Sequence, residues 1–218
     1  MIKIAEIVRE IVSSSEIAFA AFSEGYLNLS AYAKSILKEV ELKAKKPVKV
    51  GSIVAALSRL SAQPQASLIP GAEFESISVK SGLAEMTFPR TKETSAKLSR
   101  IHLKKDFSSA DFFTIAQGVA EVSIVAPERL LPTLCLIFKG YKPKLIVKGL
   151  AVLTVRFDEK YLDIPNVCYS FIRSLALRRT NIVGIVAAFT ELSFILHEQD
   201  LEESFSIMNK LFKTNERN

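Results

Sequence analysis

Tryptophan is absent from this chain, and cysteine and histidine occur only twice each in 218 residues. The two histidines, His102 and His197, stand far apart, and neither Cys135 nor Cys168 lies at zinc-ligand spacing from them, so no metal site is expected. Asp158, Glu159 and Asp163 form a loose acidic stretch with no histidine near it. The chain has no nucleophile elbow either, so no catalytic residue is assigned. No glycine-rich nucleotide loop opens the chain, and no cofactor is expected. Apolar runs stop short of the roughly eighteen uncharged residues a membrane helix needs. The N-terminus, with Lys3, Glu6, Arg9 and Glu10 among its apolar residues, lacks a secretory core. Both cysteines fall among apolar helix residues, so the sequence predicts buried thiols and a cytoplasmic setting.

What is present is the material of a packed core. Apolar residues make up 49% of the chain and charged ones 24%, which excludes a disordered chain. The formal net charge of +6 is unevenly spread. Residues 1–62 carry nine basic against six acidic groups, residues 63–144 eleven against eight, and residues 145–218 nine against nine. Lys34, Lys38, Lys43, Lys45, Lys46 and Lys49 crowd together against only Glu39 and Glu41. Such an excess can attract a polyanion, and it equally suits a solvated helix face with its following loop.

The strongest pattern is an internal duplication. Residues 111–125 lie over residues 181–195 without a gap, and a Glu-apolar-Ser-apolar stretch recurs at Glu121–Ile124 and Glu191–Phe194. Leu130, Leu134 and Ile137 then fall on Leu201, Phe205 and Met208, each trio at helical spacing. Upstream, Val79-Lys80-Ser81-Gly82-Leu83-Ala84 echoes Val147-Lys148-Gly149-Leu150-Ala151. Two copies of this length are too long for solenoid repeats, which points to two small domains.

In chain order, residues 1–62 read as helices. Ile4, Ile7, Val8 and Ile11 mark the first; Ser13–Ser15 breaks it and caps a second, which Gly25 ends. Asn28 or Ser30 caps a third helix carrying Ala33, Ile36, Leu37 and Val40, and Gly51-Ser52 opens a fourth. The last two helices loosely resemble a helix-turn-helix unit, which would make Lys43, Lys45, Lys46, Lys49 and Arg59 the candidate DNA-contacting residues. The segment Ala44–Val50 exceeds the three- or four-residue turn of that motif, and a docking or dimerisation domain is the competing reading. Residues 63–73, rich in proline and polar residues, read as a linker. The period then changes from helical to two. A first unit over 74–144 has strands at 74–79 and 83–88 with Gly82 turning the chain, a helix from Thr91 to about Phe107, a hairpin, and a helix Leu130–Lys139. A second unit over 145–218 repeats the order, with Asp200 and Glu203 forming a capping box on its last helix. Segment 144–148 can close the first unit's sheet; the second ends without a closing strand, and Phe74–Val79 can lend it one. The fold class is α+β: an all-α domain followed by two ferredoxin-like βαββαβ units.

Thr190-Glu-Leu-Ser-Phe194 followed by Asp200-Leu-Glu-Glu, together with the Val147–Ala151 strand entry, resembles the ACT domain family, specifically the paired units of aspartate kinase regulatory regions. The resemblance covers about residues 75–213, and the kinase domain itself is missing. It implies a non-enzymatic sensor that binds an amino acid, controls the helical domain and pairs as a homodimer. It also implies a ligand loop between a unit's first strand and first helix, where an Asp-x-Pro-Gly turn meets the ligand carboxylate. Here Asp163-Ile164-Pro165-Asn166 matches, with Asn in place of Gly, and Asn181 with Ile182 matches a position that contacts effectors. The first unit has Phe88-Pro89-Arg90-Thr91 at that loop and is expected to be degenerate.

Overall fold

The structure, a computed structural model, describes residues 3–62, 74–98, 100–101, 108 and 111–215. Contacts divide it into two compact units, Met1–Leu68 and Ile69–Asn218. The first holds five helices, α1 (Ile4–Ser14), α2 (Glu16–Ser23), α3 (Leu29–Ser35), α4 (Leu37–Ala44) and α5 (Val50–Ser61). Ser15 and Asn28 cap α2 and α3 by accepting from the N–H groups of Ala18 and Ala31. The third helix expected from sequence is broken at Ile36 into α3 and α4. Ile7, Val8, Ile11, Ala33, Val40, Ile53 and Leu57 bury one stripe of each contributing helix in a shared core. The connection to α5 is the five-residue stretch 45–49, where Lys45 takes the left-handed conformation and the Glu41 carboxylate accepts the N–H of Val48 at 3.0 Å.

The second unit is built on one antiparallel sheet of six strands: β1 (Phe74–Pro89), β2 (Thr114–Gln117), β3 (Glu121–Pro127), β4 (Leu145–Phe157), β5 (Ile182–Ala188) and β6 (Glu191–His197). Their order is β2-β3-β1-β4-β6-β5. The remaining helices are α6 (Lys92–Leu98), α7 (Leu131–Ile137), α8 (Val167–Ala176) and α9 (Leu201–Asn215). Each half is a ferredoxin-like unit, and each borrows its closing strand from the other. Ile146 and Val147 of β4 pair with Met86 and Glu85, while Ile77–Lys80 of β1 pair with Val155–Val152. The sequence places the closing segments at 144–148 for the first unit and at Phe74–Val79, lent by its neighbour, for the second. It also splits β1 at Gly82, and here the structure differs: β1 and β4 each run through their glycine as one strand. Gly82 and Gly149 take φ of 69° and 66°, and the register between β1 and β4 shifts between Lys80 and Leu83. A left-handed glycine thus makes a bulge, not a turn.

Glutamates after the hairpins pin both bulges. Glu198 accepts the N–H of Gly82 at 2.6 Å, and Glu128, its counterpart, accepts that of Gly149 at 2.7 Å. The recurring serine of the duplicated motif has a similar explanation. Ser123 pairs with Thr87 at 3.0 Å and Ser193 with Thr154 at 2.7 Å, each across neighbouring strands. Two parallel cores complete the arrangement. Phe88, stacked on Phe138 at 4.3 Å, leads one; Phe157, Phe171 and Phe194 lead the other. A fully buried aromatic of this kind contributes about 2–3 kcal/mol.

One further expectation is corrected. Cys135 and Cys168 are exposed: the buried stripes pass through Leu134 and Ile137 on α7 and Val167 and Phe171 on α8, and each thiol lies one residue off its stripe. The last helix, α9, begins at Leu201 as the sequence predicts, directly behind Asp200, which ends a 3-10 turn, Glu198–Asp200. The first unit's early helix is the short α6, and its expected continuation to Phe107, like His102 and the 63–73 linker, lies outside the described residues. Among the described residues no helix is long and apolar enough to cross a membrane.

Candidate ligand-binding site

Where β4 ends, the chain does not enter its helix directly. Asp158 caps a 3-10 turn, Glu159–Tyr161, by accepting the N–H of Lys160 at 2.8 Å. Tyr161 turns inward and is buried, and Ile164 donates its N–H to the Tyr161 carbonyl at 3.2 Å. Asn166 then takes φ of 71°, the left-handed conformation that asparagine tolerates better than most residues, and α8 starts behind it. The N–H groups of Val167 and Cys168 lie in the first turn, where no carbonyl of their own helix can reach them, and Asn166 makes no side-chain cap. They add to the positive end of the helix dipole.

Opposite this loop stands the β5–β6 hairpin, whose two-residue tip is Phe189-Thr190. Phe189 has φ of 44° and is 71% exposed, an unusual state for a bulky side chain. The Phe157 N–H donates to the Thr190 carbonyl at 3.0 Å and ties the tip to the end of β4. Between loop and hairpin lies a cavity of about 370 Å³. Phe157, Tyr161, Ile164, Val167, Phe189 and Leu192 make its apolar wall, and Asn166 and Glu191 also line it. Volumes of this size hold small metabolites.

The first half has no equivalent loop. Only Arg90 and Thr91 separate β1 from α6. The tip contact recurs, since Arg90 donates its N–H to Ala120 at 2.8 Å, but here the guanidinium also donates to the Gly118 carbonyl at 2.7 Å and occupies the corner. Thr91 and Thr94 cap α6 reciprocally, with Thr94 N–H to Thr91 Oγ1 at 3.1 Å and Thr91 N–H to Thr94 Oγ1 at 2.8 Å. Loop length therefore separates the halves.

The chain matches no family model and no curated protein. Among solved structures it is similar to the aspartate kinase of Clostridium acetobutylicum, at 15% identity over 64% of this chain and 35% of that one, with a TM-score of 0.54. It is similar also to the regulatory subunits of aspartate kinase from Thermus thermophilus and Thermus flavus. These are 13% and 10% identical, cover 64% of this chain and 98% and 99% of those subunits, and have TM-scores of 0.53 and 0.51. The six-stranded unit has the fold of an aspartate kinase regulatory region. The chain spans about a third of the length of the Clostridium kinase and nearly all of either Thermus regulatory subunit.

Seen on this ACT-like fold, the candidate residues separate. Ile164 and Asn166 line the cavity; Asp163 and Pro165 are exposed in the same loop outside its lining. Asn181 precedes β5 and Ile182 opens it, at the far end of the hairpin from Phe189. Sequence reasoning missed Phe157, Tyr161, Phe189 and the placement of Glu191, because the hairpin tip meets the loop only through tertiary folding. A usable signal was the nine-residue insertion 158–166 itself, long for a strand-to-helix connection. The basic candidates of the helical unit, Lys43, Lys45, Lys46, Lys49 and Arg59, are all exposed, and Lys43 forms an ion pair with Glu10 at 2.7 Å. That carboxylate raises the Lys43 ammonium above its ordinary value. Among the described residues no group of three or more metal-ligating side chains gathers.

Proposed function

We propose that this chain is a non-enzymatic regulatory protein whose second ACT-like half binds an amino acid or similar small molecule. The observation that carries this reading is the cavity between loop 158–166 and the β5–β6 tip; at the matching corner of the first half the Arg90 guanidinium binds the Gly118 carbonyl. A positive helix end faces the loop and suits a carboxylate. Titration calorimetry of the whole chain against the twenty amino acids tests it. The expected result is saturable binding of at least one, weakened by Asn166→Pro, which cannot take the left-handed conformation. No binding at millimolar concentrations overturns the reading.

The helical unit is the output of this sensor, and its five exposed basic residues suit a polyanion such as DNA. Replacing Lys45 and Lys46 by Glu is expected to weaken duplex binding, and affinity is expected to fall steeply with salt; a flat salt response contradicts phosphate contact. A second reading has the sheet as a homodimer scaffold that docks a partner without any ligand. It is favoured by β5, an outer strand of seven residues, Ile182–Ala188, that carries no charge to discourage edge pairing.

A further inference from the structure

We propose that the first half carries a small-molecule site of its own, beside the strand that β4 lends it, and that its ligand is a carboxylate with an apolar body. The site lies away from loop 158–166 and does not depend on ligand binding there. A cavity of about 350 Å³ opens between α7 and the lent strand. Met86, Leu131, Pro132 and Ile146 give it apolar surface. Glu128, Cys135 and Lys148 complete the lining. Ile146 pairs with Met86, which is buried in the first half's core under α7, and Lys148, two residues further along β4, lies on that same face of the sheet.

The second half shows what stands in this place otherwise. Counted from the bulge-pinning glutamates, Glu128 and Glu198, α7 and α9 run in step, one residue from the trios aligned in sequence. Buried Leu134 then matches buried Ser204, and Phe138 matches Met208. In this register Cys135 stands where the second half has Phe205, and Pro132 where it has Glu202. Counted from the bulge glycines, Ile146 matches Val79 and Lys148 matches Ser81. Three replacements work in one direction. A thiol for a phenyl ring opens room, proline for glutamate removes a negative charge, and lysine for serine adds a positive one. Glu128 is no part of this change, because it and Glu198 bind the N–H of their glycines alike, at 2.7 and 2.6 Å. Among the described residues no ion pair engages Lys148. Residues 139–148 hold four lysines and no acid, and of these Lys144 is paired with Glu121. An apolar body gains by filling the cavity, and its carboxylate gains a charge-assisted bond to the Lys148 ammonium. A cationic ligand would meet Lys148 as a like charge.

Cys135 is exposed and serves as the reporter. Iodoacetamide labelling of the whole chain, read at each cysteine by mass spectrometry, tests the site with 3-phenylpropionate, its neutral amide and phenethylamine as probes. 3-Phenylpropionate at millimolar concentration should slow the labelling of Cys135 at least about fivefold, and more than the amide or the amine does. Lys148→Gln should raise the concentration of 3-phenylpropionate needed for half-protection about tenfold and leave that of the amide unchanged, a split that a misfolded variant would not give. Unchanged labelling of Cys135, equal protection by the amide or the amine, or protection indifferent to Lys148→Gln overturns the proposal. Protection of Cys168 alone, which lines the cavity at loop 158–166, also overturns it while sparing the function proposed for that cavity.

Discussion

Gly149 and Gly82 show how single residues decide the shared sheet. Both hold a left-handed φ, and a Cβ at either would meet nothing within 4 Å. The cost of a side chain there is therefore backbone strain alone, about 1–2 kcal/mol. Gly149→Ala should lose that much in urea unfolding, and Gly51→Ala, in the first turn of α5 with ordinary φ, should lose nothing. Phe189 presents the opposite case. It already carries the strain, at φ of 44°, and also walls the cavity. Phe189→Asn should gain up to about 1 kcal/mol in stability while weakening amino-acid binding, and the two readings of the same variant check each other. Asp111 adds a pH dependence. The Arg129 guanidinium beside it, and the Ser108 N–H, hold its carboxyl below the usual value. A carboxyl lowered in the folded state stabilises above its unfolded value and loses that stabilisation as pH falls through the folded one. Asp111→Asn should therefore flatten the acid limb of the stability profile below about pH 4, read by thermal melts across pH.

The strands and helices show what the sequence makes legible and what it hides. The duplication at 111–125 and 181–195 marks β2, β3, β5 and β6 because an alternating pattern with a repeated Glu-apolar-Ser core survives divergence. The continuity of β1 and β4 was hidden, because glycine signals turn and bulge alike until a pairing partner is known. The cysteines were misjudged since an apolar neighbourhood does not fix which face of α7 or α8 a residue occupies. Of the residues lining the cavity, Ile164 and Asn166 could be named from the loop sequence; Phe189 could not, since it comes to the loop only through the folding of the β5–β6 hairpin. The mutual loan carries its own prediction. A fragment of residues 145–218 lacks Ile77–Lys80 and exposes the β4 edge, so it should give no cooperative thermal transition, whereas residues 74–218 should melt as one unit. A cooperative transition in the shorter fragment contradicts the exchange.

For the molecule as a whole, the asymmetry between two related halves is the feature from which function follows. Both halves carry the same strand–helix order, the same Thr–Ser bridge and the same glutamate-pinned bulge. Among the described residues the strand-to-helix connection is long in the second half, 158–166, and short in the first, 90–91. On the proposed function the first half serves as the structural partner that completes the sheet, and a ligand bound in the second would reach the rest of the chain only by favouring one state over another. Amide hydrogen exchange on the full chain, with and without each of the twenty amino acids at saturating concentration, tests this most directly. The account predicts slowed exchange at residues 158–168 and 187–192 and none at 90–91 and 118–121. Protection at the first half's tip, or no change at either, would contradict it.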